Sequence, residues 1–389
     1  MIELNGKNQV VNLLRRQPLS RVDLAKQTGL VKSSLTKITQ QLLNDGIIEE
    51  MTATDHTHEC TKGRPKTALC LVPNIHFSLC CYISIESFVA ILIDQTNKIL
   101  CHHVMRWDLP KEKRVFGAAQ IVEMIKQHGE ELCRIQGIEF SELKIITVAT
   151  QGKIAQHSGM VHYSQLLKER HFNLAQYIEE QTGHVAKIFN IAYCCSAQLN
   201  VSFSQLNSFV ALLLGYGSGM GVVIDQRIAL GPDGTAPEIS HMTYDRHGRD
   251  CYCGAKGCCE TYVTYRSIIA EIEKRVGYTL PGADAKEQLH HIVTLLNEQH
   301  PDYLDVVNEA ANVMGFIISH FMTVWDIRDV IISGEVGILF DYLKPQIEYY
   351  VANNGDFTFG ATQINLWQER DYNIAFYGLI ELTNRAYHV

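Results

Sequence analysis

Apolar residues recur at helical spacing from about Asn8, with Val10, Leu13 and Leu14 on one predicted face. Pro18 cannot continue a helical backbone ladder, so this first helix is predicted to stop before it. Ser20 opens a second helix. Its hydroxyl can accept from a free N–H of the first turn, and Asp23, three residues on, completes a capping-box-like pair. Leu24 and Ala25 are predicted to face inward, and Gly29 to close the helix in a left-handed conformation. A third helix is predicted over Lys32–Asn44, with Leu35, Ile38 and Leu42 inward and Lys32, Ser33, Ser34, Thr36, Lys37 and Gln40 outward. Val31 stands where a capping Ser or Thr is usual, and a missing cap costs about 1 kcal/mol.

Two short β-rich runs follow, Gly46–Glu49 and Thr67–Leu71, on either side of Lys62-Gly63-Arg64-Pro65-Lys66. They predict a hairpin wing with a basic tip. A short helix, a glycine-containing turn and a helix polar on one face make the helix-turn-helix pattern. The outward residues of the third helix, with Arg64 and Lys66 of the wing, can all donate to phosphates or base edges of double-stranded DNA. Beyond the wing, apolar β-type runs at Leu79–Ile85, Val89–Asp94, Ile145–Ala149 and Ser208–Leu214 are interspersed with helical stretches near Ala118–Gln136, Thr261–Arg275, Tyr303–Thr323 and Tyr372–Asn384. That arrangement predicts an α/β body.

Length and charge sharpen this division. A chain of 389 residues favours two or three domains. The expected domains are 1–72, a winged helix-turn-helix, then 73–198, a first α/β lobe completed by the C-terminal helix 372–389, and 199–371, a second α/β lobe. The net charge of −8 alone speaks against nucleic acid, but residues 1–72 carry +3 and the remainder −11. An N-terminal segment opposite in sign to its body suits a polyanion-binding module. The first residues, Met1-Ile2-Glu3-Leu4-Asn5, lack the basic and apolar regions of a secretory signal, and no run of eighteen apolar residues is present. A cytoplasmic protein, not an integral membrane one, is expected. Its twelve cysteines are then read as reduced thiols or metal ligands.

Most of those cysteines, Cys60, Cys70, Cys80, Cys81, Cys101, Cys133, Cys194 and Cys195, lie among apolar residues and are expected in the core. The exception is Cys251-Tyr252-Cys253-Gly254-Ala255-Lys256-Gly257-Cys258-Cys259-Glu260. Three thiols in a C-x-C-x4-C pattern, with glycines that let the backbone wrap closely, suit one tetrahedral metal. A closed zinc site needs a fourth ligand, for which His241, His247 and Cys259 are candidates. Cys259 directly follows Cys258, so its side chain is expected to point elsewhere.

Glu238-Ile-Ser-His241 followed by this cysteine motif and Glu260 resembles the signature of the ROK family (repressors, open reading frames, kinases). A winged helix placed ahead of it is similar to the family's repressor branch, which includes glucose and N-acetylglucosamine repressors. The resemblance covers nearly the whole chain. It implies an actin/hexokinase-like body of two α/β lobes, and zinc held by His241, Cys251, Cys253 and Cys258.

The resemblance also implies where kinase chemistry would lie. The family's general base sits in an Asn-Asp pair; here Phe189-Asn190 stands in its place, and an amide cannot take a proton from a sugar hydroxyl at neutral pH. The first phosphate loop corresponds to about Ser84-Ile85-Glu86-Ser87, without a glycine and with a repelling carboxylate. Only the second glycine loop, Gly215-Tyr-Gly217-Ser-Gly219-Met-Gly221, remains, a weak signal that also fits a tight turn. A non-catalytic sensor body is therefore expected rather than an enzyme. Family members grip sugar hydroxyls through residues matching Glu238, His241 and Glu260, with Asn190, in the place of the lost base, a further candidate and Phe189 replacing the asparagine expected beside it, although the glutamates can equally serve to orient the metal ligand. Gln151-Gly152 stands where Pro-Gly is usual. The implied partners are operator DNA, a second or further copies in a homodimer or homotetramer, and a sugar effector or a phosphotransferase-system permease domain.

Overall fold

The computed structural model describes residues 6–51, 67–109, 113–354, 362–367 and 374–386. They fall into two units, the first running to Phe189 and resuming at Leu379, the second spanning Asn190–Gly378.

Unit 1 begins with α1 (Gly6–Leu14), β1 (Leu19–Ser20), α2 (Arg21–Thr28), α3 (Lys32–Asn44), β2 (Ile48–Glu50) and β3 (Ala68–Leu71). The three short strands form one antiparallel sheet with β3 in the middle. Local chemistry fixes the helix ends. The Ser20 hydroxyl accepts from the Asp23 N–H at 3.2 Å and donates to the Asp23 carboxylate at 2.6 Å. Gly29 ends α2 at φ +69°, and Val31 heads α3 without a side-chain cap. Val10, Val11, Leu14, Leu24, Leu35, Leu42, Ile48 and Leu69 make the module's core. One detail differs from the sequence pattern. α1 stops before Pro18, at Leu14, as expected, whereas in α3 Thr39 joins Leu35 and Leu42 in the core and Ile38 is only half-buried. Thr39 can be buried because its hydroxyl donates to the Thr36 carbonyl at 3.2 Å.

The chain continues through β4 (Phe77–Ile83), β5 (Ser87–Asp94), β6 (Ile99–Arg106), α4 (Ala118–Gln136), β7 (Leu143–Thr150), β8 (Lys153–Ala155), β9 (Met160–Tyr163), β10 (Phe172–Asn173), α5 (Leu174–Thr182) and β11 (Ala186–Asn190). Five strands form a sheet in the order β11-β7-β4-β5-β6, with β4–β5 and β5–β6 antiparallel and β4–β7 parallel. α4 lays Ala118, Ile121, Val122, Ile125, Leu132 and Cys133 inward at three- and four-residue spacing and packs on β5 and β6.

Unit 2 holds α6 (Ile191–Ser202), β12 (Phe209–Leu214), β13 (Ser218–Ile224), β14 (Arg227–Ile228), α7 (Glu260–Val263), α8 (Tyr265–Val276), α9 (Ala285–Asn297), α10 (Pro301–Trp325), β15 (Asp329–Ser333), α11 (Phe340–Ala352) and β16 (Gln363–Leu366). Its sheet, β16-β15-β12-β13-β14, repeats the plan of the first: an antiparallel meander on one side of a central strand, parallel strands on the other. The helix expected over Thr261–Arg275 is two helices. Thr264 turns extended between them, at ψ 152°, and its hydroxyl caps α8 by accepting from the Ser267 N–H at 3.2 Å. The final helix, α12 (Ile374–Ala386), passes from unit 2 into unit 1.

Within unit 1, the N-terminal module is bonded to the body. Arg15, just past α1, donates from Nε to the Gln95 carbonyl at 3.0 Å and from Nη1 to the Asn384 carbonyl of α12 at 2.7 Å. Arg16 lies 3.8 Å from Glu381 of the same helix. The His76 N–H donates to the Gln95 side chain at 2.6 Å, and that side chain donates to the Val72 carbonyl, so the linker is gripped as well. Among the described residues, no helix is long and apolar enough to cross a membrane.

Candidate metal centre and nucleic-acid interface

α3 presents Lys32, Ser33, Thr36, Lys37 and Gln40 to solvent; Ser34 is half-buried. Thr36 donates to the Lys32 carbonyl at 2.8 Å and Gln40 to the Asn44 side chain at 3.1 Å, so these side chains lie along the helix surface. Arg64 and Lys66 of the expected wing tip lie outside the described residues, as does Cys60.

In unit 2, a turn at Ile239–His241 and the loop after it gather His241, Cys251, Cys253 and Cys258, with one ligand atom from each lying within 4.8 Å of the others. The backbone dictates this. Gly257 has φ +64°, and a Cβ there would stand 1.5 Å from the Asp245 carbonyl oxygen. The Gly257 carbonyl accepts from the Tyr244 N–H at 2.8 Å, the Gly257 N–H donates to Arg249 at 2.7 Å, and the Cys251 N–H donates to Ala255 at 2.9 Å. The loop is thus folded back on itself with its thiols convergent. Cys253 Sγ lies 3.7 Å from Cys258 Sγ, and Cys251 Sγ lies 3.7 Å from His241 Nδ1. A disulfide needs about 2.05 Å. A tetrahedral ion bound at about 2.3 Å by sulfur has ligand-to-ligand edges of about 3.8 Å, so the spacing fits a metal. With no cation, burial pushes the Cys258 thiol up to about 12 and raises Cys251. Burial acts to raise Cys253 too, but hydrogen bonds from the Ala255 N–H and the neighbouring thiols outweigh it and hold Cys253 below its usual value. Cys259 turns into the apolar core, and His247 is exposed outside the cluster.

The groups named for sugar binding are placed as follows. Glu238 is exposed at the head of the His241 turn, where its carbonyl accepts from the His241 N–H at 3.3 Å. Glu260 is 2% exposed, and one of its carboxylate oxygens accepts from both the N–H and the hydroxyl of Ser218. Burial raises its pKa. Asn190 caps α6, accepting from the N–H groups of Ala192 at 2.8 Å and Tyr193 at 3.3 Å.

The glycine loop between β12 and β13 owes its glycines to packing. A Cβ on Gly219 would stand 2.8 Å from the Ala192 Cβ, and one on Gly221 would stand 1.6 Å from the Ser196 hydroxyl of α6. Beside Gly215 lies a residue the sequence reading missed. The Glu335 carboxylate, just after β15, is 2.7 Å from where a Gly215 Cβ would stand. The available signal was a lone acidic residue after the Ser333-Gly334 turn that ends an apolar strand. The β4–β5 turn in unit 1 is likewise closed: the Ser84 hydroxyl accepts from the N–H groups of Glu86 at 3.2 Å and Ser87 at 3.1 Å.

Two units built on one repeated sheet plan define an α/β protein of the actin/hexokinase-like class. The ROK family model matches residues 81–358, and the chain belongs to the ROK family. It is 24% identical over 385 residues to the DNA-binding transcriptional dual regulator NagC of Escherichia coli K12, covering 95% of this chain and 89% of that one. A solved ROK family transcriptional regulator, a homologue of the E. coli Mlc protein, superposes with a TM-score of 0.77 at 19% identity, covering 98% of this chain and 97% of that one. A ROK family glucokinase from Streptomyces griseus, solved with glucose and AMPPNP, gives 0.62 at 18% identity over 79% of this chain and 98% of its own. The last two comparisons speak for the fold, which regulators and kinases share.

Proposed function

We propose that this chain is a sequence-specific DNA-binding transcription regulator, a repressor of genes for sugar uptake or use, with a kinase-like body that senses without phosphorylating. The observation that carries the reading is the exposed polar face of α3, set in a winged-helix module at the head of a chain that aligns with a DNA-binding regulator over nearly its whole length. Lys32, Ser33, Thr36, Lys37 and Gln40 supply donors for phosphates and base edges, Ser34 contributes from the margin, and Arg64 and Lys66, outside the described residues, are further cationic donors in the sequence. The uncapped start of α3 at Val31 leaves its first N–H groups without a side-chain acceptor, which a DNA phosphate can provide.

Loss of catalysis is supported by four groups. Asn190 supplies no base, the Ser84 turn has its N–H groups engaged, Glu260 occupies the Ser218 N–H, and Glu335 places negative charge at Gly215. His241, Cys251, Cys253 and Cys258 would hold one zinc ion, which closes the loop as a structural cross-link. The regulator acts in the cytoplasm as a homodimer or homotetramer, because a helix-turn-helix reads paired half-sites about 34 Å apart. Its effector is a sugar, a sugar phosphate or the cytosolic domain of a phosphotransferase-system permease. Any of these works by binding the non-DNA conformation more tightly, lowering operator affinity by that difference.

Genomic footprinting, paired with an ADP-release assay on glucose, N-acetylglucosamine and related sugars, tests the reading. Discrete near-palindromic footprints without turnover are expected. Turnover at about 1 s⁻¹ or above would establish the alternative, a sugar kinase with an accessory DNA-binding domain.

A further inference from the structure

A ring nitrogen that ligates a metal must be bare, so the proton of a ligating neutral histidine sits on its other nitrogen, and whatever accepts that proton fixes the ring. His241 turns Nδ1 toward Cys251 Sγ, at 3.7 Å. Its Nε2 faces the hydroxyl of Tyr252 at 3.2 Å. Tyr252 lies between two of the cluster's cysteines, so the loop that supplies the thiols also supplies the hydroxyl beside the histidine. The two rings meet edge to face, with centroids 5.3 Å apart and planes at 84°. The tyrosine ring is itself located: the Arg266 guanidinium lies 6.0 Å from its centroid and 5.0 Å from that of Tyr216 in the glycine loop, and approaches the Glu260 carboxylate at 4.0 Å.

We infer that Tyr252 is the positioning residue of the metal site: with Nδ1 bare toward the thiols, its hydroxyl oxygen accepts the His241 Nε2–H and holds the imidazole edge-to-face with its own ring. The same bond withdraws the Nε2–H from any sugar hydroxyl, so His241 serves the metal and offers a neutral sugar nothing until Tyr252 moves. This inference rests on the proposed metal site.

The test uses the full-length protein loaded with zinc, the wild type against Tyr252→Phe, which keeps the ring and removes the oxygen. Competition with a colorimetric chelator measures zinc affinity, and two-dimensional ¹⁵N NMR of the histidines reads the His241 tautomer and the exchange of its Nε2 proton. The wild type should show an Nε2–H tautomer with a slowly exchanging proton. The variant should still bind one zinc per chain, but about 10- to 100-fold more weakly and with rapid proton exchange. Equal affinity and equal exchange in the two proteins would overturn the role of Tyr252 and leave the metal site standing. A wild-type protein that binds no zinc would instead overturn the metal site, and the inference with it. Should the variant fold poorly, the wild-type spectrum alone decides: a proton on Nδ1, or an unprotected Nε2 proton, refutes the assignment.

Discussion

Glu260 and Ser218 are joined twice through one oxygen: the Glu260 carboxylate accepts the Ser218 N–H at 3.0 Å and its hydroxyl at 2.7 Å. A phosphate arriving at the glycine loop meets a donor already engaged and a negative charge beside it, with Glu335 on the neighbouring glycine. On the proposed non-catalytic reading, a carboxylate base alone should therefore not produce kinase turnover. Asn190→Asp is expected to release ADP no faster than wild type, and MgATP to show no calorimetric binding at millimolar concentration in either. Turnover near 1 s⁻¹ in Asn190→Asp would mean that the loops are still competent.

The proposed DNA contacts should carry an ionic signature. Lys32→Ala and Lys37→Ala should each weaken operator binding and reduce the slope of log K against log salt by about 0.9, one released counterion apiece. Ser34→Ala, at a half-buried position, should leave the slope alone. Fluorescence anisotropy from about 50 to 200 mM salt measures both. Unchanged slopes in the two lysine variants would remove α3 from the interface.

Cys253→Ala should lower zinc content roughly tenfold or more on elemental analysis, and chelation of the wild type should lower its melting temperature, since structural metal binding contributes directly to folding. His247→Ala should keep its zinc, because that side chain stands outside the cluster. Zinc lost from His247→Ala and kept by His241→Ala would reassign the fourth ligand.

Arg15→Ala removes two hydrogen bonds from a cation to backbone carbonyls, each worth about 1.5–3 kcal/mol when partly buried. Hydrogen exchange should quicken over Gly6–Leu14 while β4 and β5 keep their protection. Uniform acceleration across unit 1 would show that the bonds hold the whole unit rather than the module.

His128 stacks on His103 with ring centroids 4.5 Å apart and touches Phe88. Burial, then the neighbouring His103, lowers its pKa below 6.5. The folded state thus keeps His128 neutral where the unfolded chain takes up a proton. Stability from this group is full above about 6.5 and is lost as pH falls toward the folded value. His128→Gln should flatten the loss of melting temperature between about pH 7.5 and 5.5. An equally steep loss would assign it to other groups.

Where the sequence was legible, the chemistry was local. Ser20, Gly29 and the Lys32–Asn44 stripe each settle within a turn or two, and the structure places α2 and α3 at those positions. The cysteine spacing announced a loop of convergent thiols for the same reason. Thr264 was not legible: its capping hydroxyl competes with helix continuation inside an otherwise helical pattern, and the pattern alone does not decide which prevails. Glu335 escaped because its meaning is tertiary. It meets Gly215 across 120 positions of chain, through the parallel pairing of β12 with β15. The two sugar-type glutamates were weighed as sugar ligands or metal-orienting groups; Glu260 also holds the glycine loop, a role that only its distance to Ser218 reveals.

The Arg15–Asn384 bond spans 369 residues of sequence. A ribosome adding about 5–20 residues per second makes the acceptor roughly 20–70 s after the donor. During that interval the winged helix has its own apolar core but lacks its tie to α12. The N-terminal module therefore waits for the last helix of the chain to complete its attachment, and translation speed over the later segments sets how long that incomplete state lasts.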